Sequence, residues 1–248
     1  PRGSLVLFRQ GEDAERGAHI EILKSINAEF ENLDFEGALK YVPILNPDYT
    51  ALALFTDAPM DMDVDAIHQG YIRTMKSNGG VLFVNAEVKD ISRSDDWCVE
   101  TPAGTFKAPI IVNAAGAWAD VIAEISGVKP VGLQPKRRSA MLVKVPDECG
   151  DISSWPLTSG ENPDFYFKPD AGRLLLSPQD QTPSDPCDAW PEDLDIAYAI
   201  DRFETATTMT NTRPEHTWAG LRSFVPDEGM VNGFDPDVNG FFWLAGQG

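Results

Sequence analysis

The stretch Ala108–Asp120, APIIVNAAGAWAD, decides how this chain is read. Ile110, Ile111 and Val112 form a β-branched run that predicts a buried strand. Asn113 ends the run, and Ala114, Ala115 and Gly116 follow it. Three of the smallest side chains at a strand's end predict that something approaches the backbone there, a ligand or a packed helix. Ligands of open α/β sheets sit at the carboxyl ends of strands. On this stretch alone both readings stand.

Upstream, residues 15–31 place Ile20, Ile22, Leu23, Ile26 and Phe30 mainly on one helical face. In LDFEGALKYVPILNP, which follows, Pro43 and Pro47 break any helix. TALALFTD predicts a strand. MDVDAIHQGYIRTMKSNGG predicts a helix with Asp63 as N-cap and Gly79-Gly80 as its stop. VLFVNAEVKDI predicts a strand, and WCVETPAGTFKAPIIVNAAG a hairpin running into the opening stretch. Downstream, WADVIAEISGV reads as a short helix closed by Gly127 and PKRRSAMLVKVP as a strand. DFYFKPDAGRLLLSP is a strand pair, EDLDIAYAIDRFETATTM an amphipathic helix, and the remainder strands around a turn-rich middle. Helices and strands interleave irregularly, with several hairpins, so the fold class expected is α+β, a mixed α/β chain.

The 248 residues are 42% apolar and 10% aromatic, a globular composition. The formal net charge of −19 argues against nucleic acid and anionic membrane surfaces as partners. An anionic substrate therefore needs a local basic group, which makes individual arginines informative. Cys98, Cys149 and Cys187 are scattered and odd in number, which predicts a reducing, cytoplasmic compartment with idle thiols. His19, His68 and His216 pair in no ligand spacing, so no metal is expected. No window has the length of a membrane span, and the N-terminus has no signal-peptide pattern. The chain starts without Met and stops after the apolar run FFWLA, which predicts a piece of something longer.

VNAAGAWAD resembles the last nucleotide-domain strand of the flavin amine oxidoreductases that include D-amino-acid oxidase, glycine oxidase and sarcosine oxidase. Three further blocks agree, in order: DMDVDAIHQGYIRTMKSNGGVLFVNAEVKDI, PDFYFKPDAGRLLLSPQDQ and WAGLRSFVPDEGMVNGFDPDVNGFFWLAGQG. The resemblance covers roughly residues 41–248. It implies part of an FAD-binding Rossmann-like domain and an antiparallel-sheet substrate domain, each discontinuous in sequence. Residues 1–62 and 133–222 would form the substrate domain, and residues 63–132 and 223–248 the FAD-binding part. The chain departs from the family in lacking any GxGxxG phosphate loop, so the expectation is an internal fragment whose parent binds FAD and which itself holds it weakly or not at all.

The resemblance also implies roles. Val84 and Val88 flank the turn that meets the adenine end through backbone groups; as side chains both read as strand core. Ala114, Ala115 and Gly116 would line the phosphates and ribityl chain, followed by Trp118, which a helix-start core would equally explain. Gly246, Gln247 and Gly248 would approach the flavin ring, where a side chain clashes. Arg222, in AGLRSF, is the foremost candidate. A planar guanidinium in an apolar setting suits bidentate binding of a substrate carboxylate, and a salt bridge to one of the many acids is the alternative. Tyr166 and Gln181 match positions lining the substrate pocket, with strand core the competing reading for Tyr166. Arg137 and Arg138 read as a structural or solvated pair.

The implied reaction oxidises the C–N bond of an amino acid or secondary amine. Hydride passes to flavin, the imine is hydrolysed, and oxygen or another acceptor takes the electrons. The protein orients and tunes and need not supply an acid or base, which agrees with the lack of a catalytic dyad motif. No cysteine matches the family's covalent position, which points to non-covalent FAD. The alternatives are a related flavin enzyme acting on a hydroxy acid or polyol phosphate, and a non-catalytic domain of the same fold. The sequence leaves oligomeric state open.

Overall fold

The computed structural model describes residues 1–162 and 164–248. In chain order the elements are β1 (Ser4–Phe8), α1 (Asp13–Ser25), β2 (Glu31–Asp34), α2 (Phe35–Leu39), β3 (Leu52–Thr56), α3 (Val64–Ser77), β4 (Asp90–Arg93), β5 (Trp97–Thr101), β6 (Gly104–Ala108) and β7 (Ile111–Asn113). They continue as α4 (Ala119–Ile125), β8 (Gln134–Val143), β9 (Leu157–Gly160), β10 (Tyr166–Asp170), β11 (Arg173–Ser177), β12 (Thr182–Pro183), α5 (Asp193–Ala206), β13 (Pro214–Phe224), β14 (Val231–Phe234) and β15 (Phe241–Ala245). The fold is mixed α/β. The chain divides into unit 1, residues 1–61, 137–181 and 189–220, and unit 2, residues 62–136, 182–188 and 221–248.

Unit 1 is built on one large mixed sheet in the order β8-β11-β10-β9-β1-β3-β2, with β13 also paired to β8. β1 runs antiparallel to β3 and parallel to β9. Alternation puts every second side chain on the covered face: Leu5 and Leu7 of β1, Phe167 of β10, and Leu174 and Leu176 of β11 are fully buried. α5 turns Ala199, Phe203 and Ala206 onto this face. Phe203 meets Phe167 edge-on with ring centroids 5.2 Å apart, a favoured aromatic geometry.

Unit 2 holds two small sheets, β4-β5-β6 and β14-β15-β7. β14 and β15 are antiparallel, whereas β15 and β7 are parallel with Trp243 opposite Asn113. α4 supplies Ala119 and Ala123 to a core with Trp97, Phe241 and Trp243. Asp63 caps α3 by accepting from the Ala66 amide at 2.8 Å, and Gly79, at φ 84°, continues the turn that ends it. Such a φ suits glycine.

The structure departs from the sequence expectations in three places. α1 stops at Ser25 and not at residue 31, because Asn27 turns left-handed at φ 53° and the Ala28 amide bonds back to Leu23. Residues 81–88 form no strand, and the apolar run from Val81 to Val84 lies open, Val84 at 72% exposure. A strand needs a ladder partner, and none lies beside this run among the described residues. β7 is buried on one side only: Asn113 faces inward while Ile110 and Val112 are about half exposed. α4 packs on its inner face and β15 pairs along one edge, and no described element of unit 2 covers the outer face.

Candidate functional site

The site in unit 2 is assembled where two parallel strands end side by side. β7 releases the chain into Ala114-Ala115-Gly116, and its neighbour β15 releases it into Gly246-Gln247-Gly248. The first exit is shaped by Asn113. Its buried side-chain amide donates to the Ala119 carbonyl at 2.7 Å, and its oxygen accepts from the Ala115 amide at 3.4 Å. These bonds fold the backbone into the 3-10 turn Gly116–Trp118, which feeds α4. Gly116 has φ 57°, and a side chain there would project into open space. The small residues therefore leave room at the strand end; they are not forced by a neighbour packed against Gly116.

The second exit packs against the end of β13. The Gly248 amide donates to the Ser223 carbonyl at 3.0 Å. Gly248 sits at φ 82°, and a Cβ there would lie 3.2 Å from the Phe224 ring and 3.3 Å from Nη2 of Arg222. At Gly246, φ 73°, a Cβ would press the Gly229 carbonyl at 3.1 Å. Gln247 between them is exposed.

Arg222 is half-buried, with its guanidinium 4.9 Å from the centroid of Phe224. Arginine at i and an aromatic at i+2 lie on one face of a strand, and stacking on a ring holds the guanidinium plane. No carboxylate pairs with Arg222 among the described residues, although the chain carries 39 acidic side chains. Lys136 contacts the same ring, Nζ 4.7 Å from the centroid, and reaches Glu228 at 3.7 Å. Lys136, Phe224 and Asn113 were not singled out from the sequence. For Phe224 the alternating Arg-Ser-Phe was the available signal; Lys136 and Asn113 depend on long-range packing.

The adenine-end candidates separate. Val88 is half-buried against the unit 2 core, whereas Val84 is exposed. Val88, Glu87, Ala115, Trp118, Val121, Ile122 and Ile125 line an apolar cleft of about 460 Å³. Trp118 is 44% exposed, more than a buried core aromatic at a helix start would be. The open turn at Gly116, the glycines at the second exit and this cleft fit one wall of a flavin nucleotide; a glycine-rich phosphate loop is absent from the sequence.

Tyr166 and Gln181 lie in unit 1. Tyr166 is half-buried at the start of β10, opposite Ser177 of β11. Gln181 is exposed at the end of the loop that follows β11. Arg137 is ion-paired to Glu192, the N-cap of α5, at 2.6 Å and to Asp195 of α5 at 2.9 Å. Arg138 donates to the Asp180 carbonyl at 2.9 Å. Among the described residues no cluster of histidine, cysteine and carboxylates forms a metal site, and no helix is long and apolar enough to cross a membrane.

Unit 2 thus brings together small residues at the ends of two parallel strands and a ring-stacked arginine beside the second of them. The chain belongs to the family of FAD dependent oxidoreductases (DAO), whose profile matches residues 1–248. It is 25% identical over 225 residues to mitochondrial sarcosine dehydrogenase of Mus musculus, covering 82% of this chain and 24% of that protein. It is 24% identical over 225 residues to glycine oxidase of Geobacillus kaustophilus (strain HTA426), covering 85% of this chain and 54% of that one. The crystal structure of glycine oxidase from Geobacillus kaustophilus superposes with a TM-score of 0.83 at 23% identity, over 98% of this chain and 65% of that chain. The fold is thus that of glycine oxidase. The chain spans about a quarter to a half of the length of these curated relatives.

Proposed function

We propose that this chain is part of an enzyme that oxidises the C–N bond of an amino acid or secondary amine, with FAD as cofactor. The observation that carries the reading is Arg222: a half-buried guanidinium without a carboxylate partner among the described residues, in a chain of net charge −19, set beside the glycine exit of β15. Burying an unpaired cation is costly, so its natural counterpart is an anionic ligand group, here the substrate carboxylate.

Ala114, Ala115, Gly116 and Trp118 would hold one side of the cofactor, with Val88 near its adenine end and Gly246, Gln247 and Gly248 near its ring. FAD, when bound, accepts the hydride that the α-carbon gives up. Arg222 binds and orients the carboxylate, and Phe224 keeps the guanidinium from rotating. The chain's own contribution is orientation and exclusion of water. Tyr166 and Gln181 act in this reading as further substrate contacts. Oxygen or another acceptor would finally take up the electrons. The uncovered face of β7 and the open run 81–84 support a second part of the reading, that further chain completes the nucleotide site.

The test is a flavin spectrum of the full-length protein, followed by screening amino acids, N-methyl amino acids and hydroxy acids for flavin bleaching. Bleaching by amines is expected; bleaching by hydroxy acids alone would replace the reading with hydroxy-acid oxidation. Arg222→Ala should raise KM by ~10–1000-fold, the scale of losing a charge-assisted pair. An unchanged KM removes Arg222 from the site.

A further inference from the structure

The loop after β11, residues 178–181, is fastened more heavily than its length requires. Gln179 holds a left-handed φ of 55°, a conformation that costs a non-glycine residue energy and persists only where the surroundings enforce it. Its amide donates to Ser177 Oγ at 3.2 Å, and its side-chain nitrogen donates to the Phe165 carbonyl at 3.0 Å. Phe165 is the residue immediately before Tyr166.

Asp180 is engaged on every oxygen. Oδ1 accepts from the Ser139 amide at 2.6 Å, and Oδ2 accepts from Ser139 Oγ at 3.0 Å. Oδ2 also lies 3.7 Å from Nε of Arg137, whose other nitrogens are tied to Glu192 before α5 and Asp195 within it. The carbonyl of Asp180 accepts from Arg138. Its side chain is only 7% exposed. Ser177 Oγ in turn donates to the Ser139 carbonyl at 2.7 Å. Immediately after this clamp, Gln181 is exposed. The loop therefore leaves one side chain facing out and fixes everything behind it.

We propose that Asp180 is a positioning residue. Through Ser139 and Arg137 it fixes Gln181, while Gln179 ties the same loop to the backbone before Tyr166, so the two candidate substrate contacts of unit 1 are held as one rigid pair. A strained support, held by several hydrogen bonds behind an exposed polar side chain, is the arrangement a preorganised contact needs. The proposal rests on the amine-oxidising reading above for what Gln181 and Tyr166 touch. The clamp is also what β8 gains from the Arg-Arg-Ser sequence at Arg137–Ser139.

The experiment uses the flavin-loaded full-length protein, with N-methylglycine and glycine as probes. Asp180→Asn should raise KM about 5–50-fold with kcat within about twofold of the parent, the pattern of lost binding and not lost chemistry. Gln181→Ala should raise KM comparably, and the double variant should rise no further than the larger single effect. Ser139→Ala, which removes only the hydroxyl leg, should give a smaller rise in the same direction and serves if Asp180→Asn does not fold. In the 248-residue chain itself, either variant should speed amide hydrogen exchange at residues 179–182 while exchange in β1 and β3 stays unchanged. KM effects that multiply in the double variant, or an unchanged KM with unchanged exchange, would overturn the proposal. Loss of amine bleaching with Arg222→Ala but not with these variants would leave the amine reading standing and sink this one alone.

Discussion

Helices α3 and α5 are both 14 residues long and both amphipathic, yet α5 buries Ala199, Phe203 and Ala206 while α3 buries nothing. Val64, Ile67, Tyr71 and Met75 of α3 are all exposed, Tyr71 at 74%. The difference does not lie in the sequences of the helices. It lies in what each is offered: α5 has a broad sheet to cover, whereas the unit 2 core around Trp97, Phe241 and Trp243 takes its helical side chains from α4 and none from α3. Amphipathic periodicity says that a helix has a face to bury, not that its own chain supplies the cover.

The largest expected contrast is Phe203→Ala in α5, which should cost about 3–5 kcal/mol by leaving a cavity against Phe167. Urea titration of the 248-residue chain measures it. A loss below about 1 kcal/mol would mean the unit 1 core is looser than its packing implies. Next comes Asp235 in unit 2. Its carboxylate accepts from the Trp243 indole at 3.0 Å and from the Asp237 and Val238 amides at 3.0 and 2.9 Å. Burial alone would raise its pKa, but the Trp243 bond and the two amides outweigh burial and hold it below the ordinary 3.8. A depressed folded value stabilises above the unfolded pKa and is lost as pH falls through the folded one. Asp235→Asn should therefore cost about 1 kcal/mol at pH 7, and the gap to the parent should close as unfolding is repeated at progressively lower pH through that range. A gap that does not depend on pH would refute the assignment. The smallest effect is Tyr71→Ser in α3, within about 0.5 kcal/mol; a larger loss would show that α3's face is covered in solution.

Much of the architecture was legible in sequence. Asp63 and Gly79 bounded α3 because capping is local chemistry, and the β5–β6 hairpin followed from a short turn between alternating strands. Of the strand expected over VLFVNAEVKDI only Asp90 and Ile91 lie in one, β4, because apolar, β-branched composition identifies a segment fit for a sheet without providing its neighbour. The α1 overrun failed at Asn27, where a left-handed turn outweighed continuing periodicity. At the site, residue types were readable and relations were not. Arg222 stood out by its lone charge in an apolar setting, but Phe224, Lys136 and Gly248 gather around it only through pairing and packing. Arg137 and Asp180 lie 41–42 residues or more from several of their partners, a separation no local pattern spans.

The open side of β7 has a consequence for handling the chain. The edge of β7 away from β15 has no partner strand among the described residues, and such an edge, beside exposed Ile110 and Val112, is a template for pairing with another molecule. Here the edge is blunt. β7 spans only Ile111–Asn113, and the Asn113 side chain is turned inward to Ala119. Three residues offer few ladder positions, so an edge this short gives a passing molecule little to pair with.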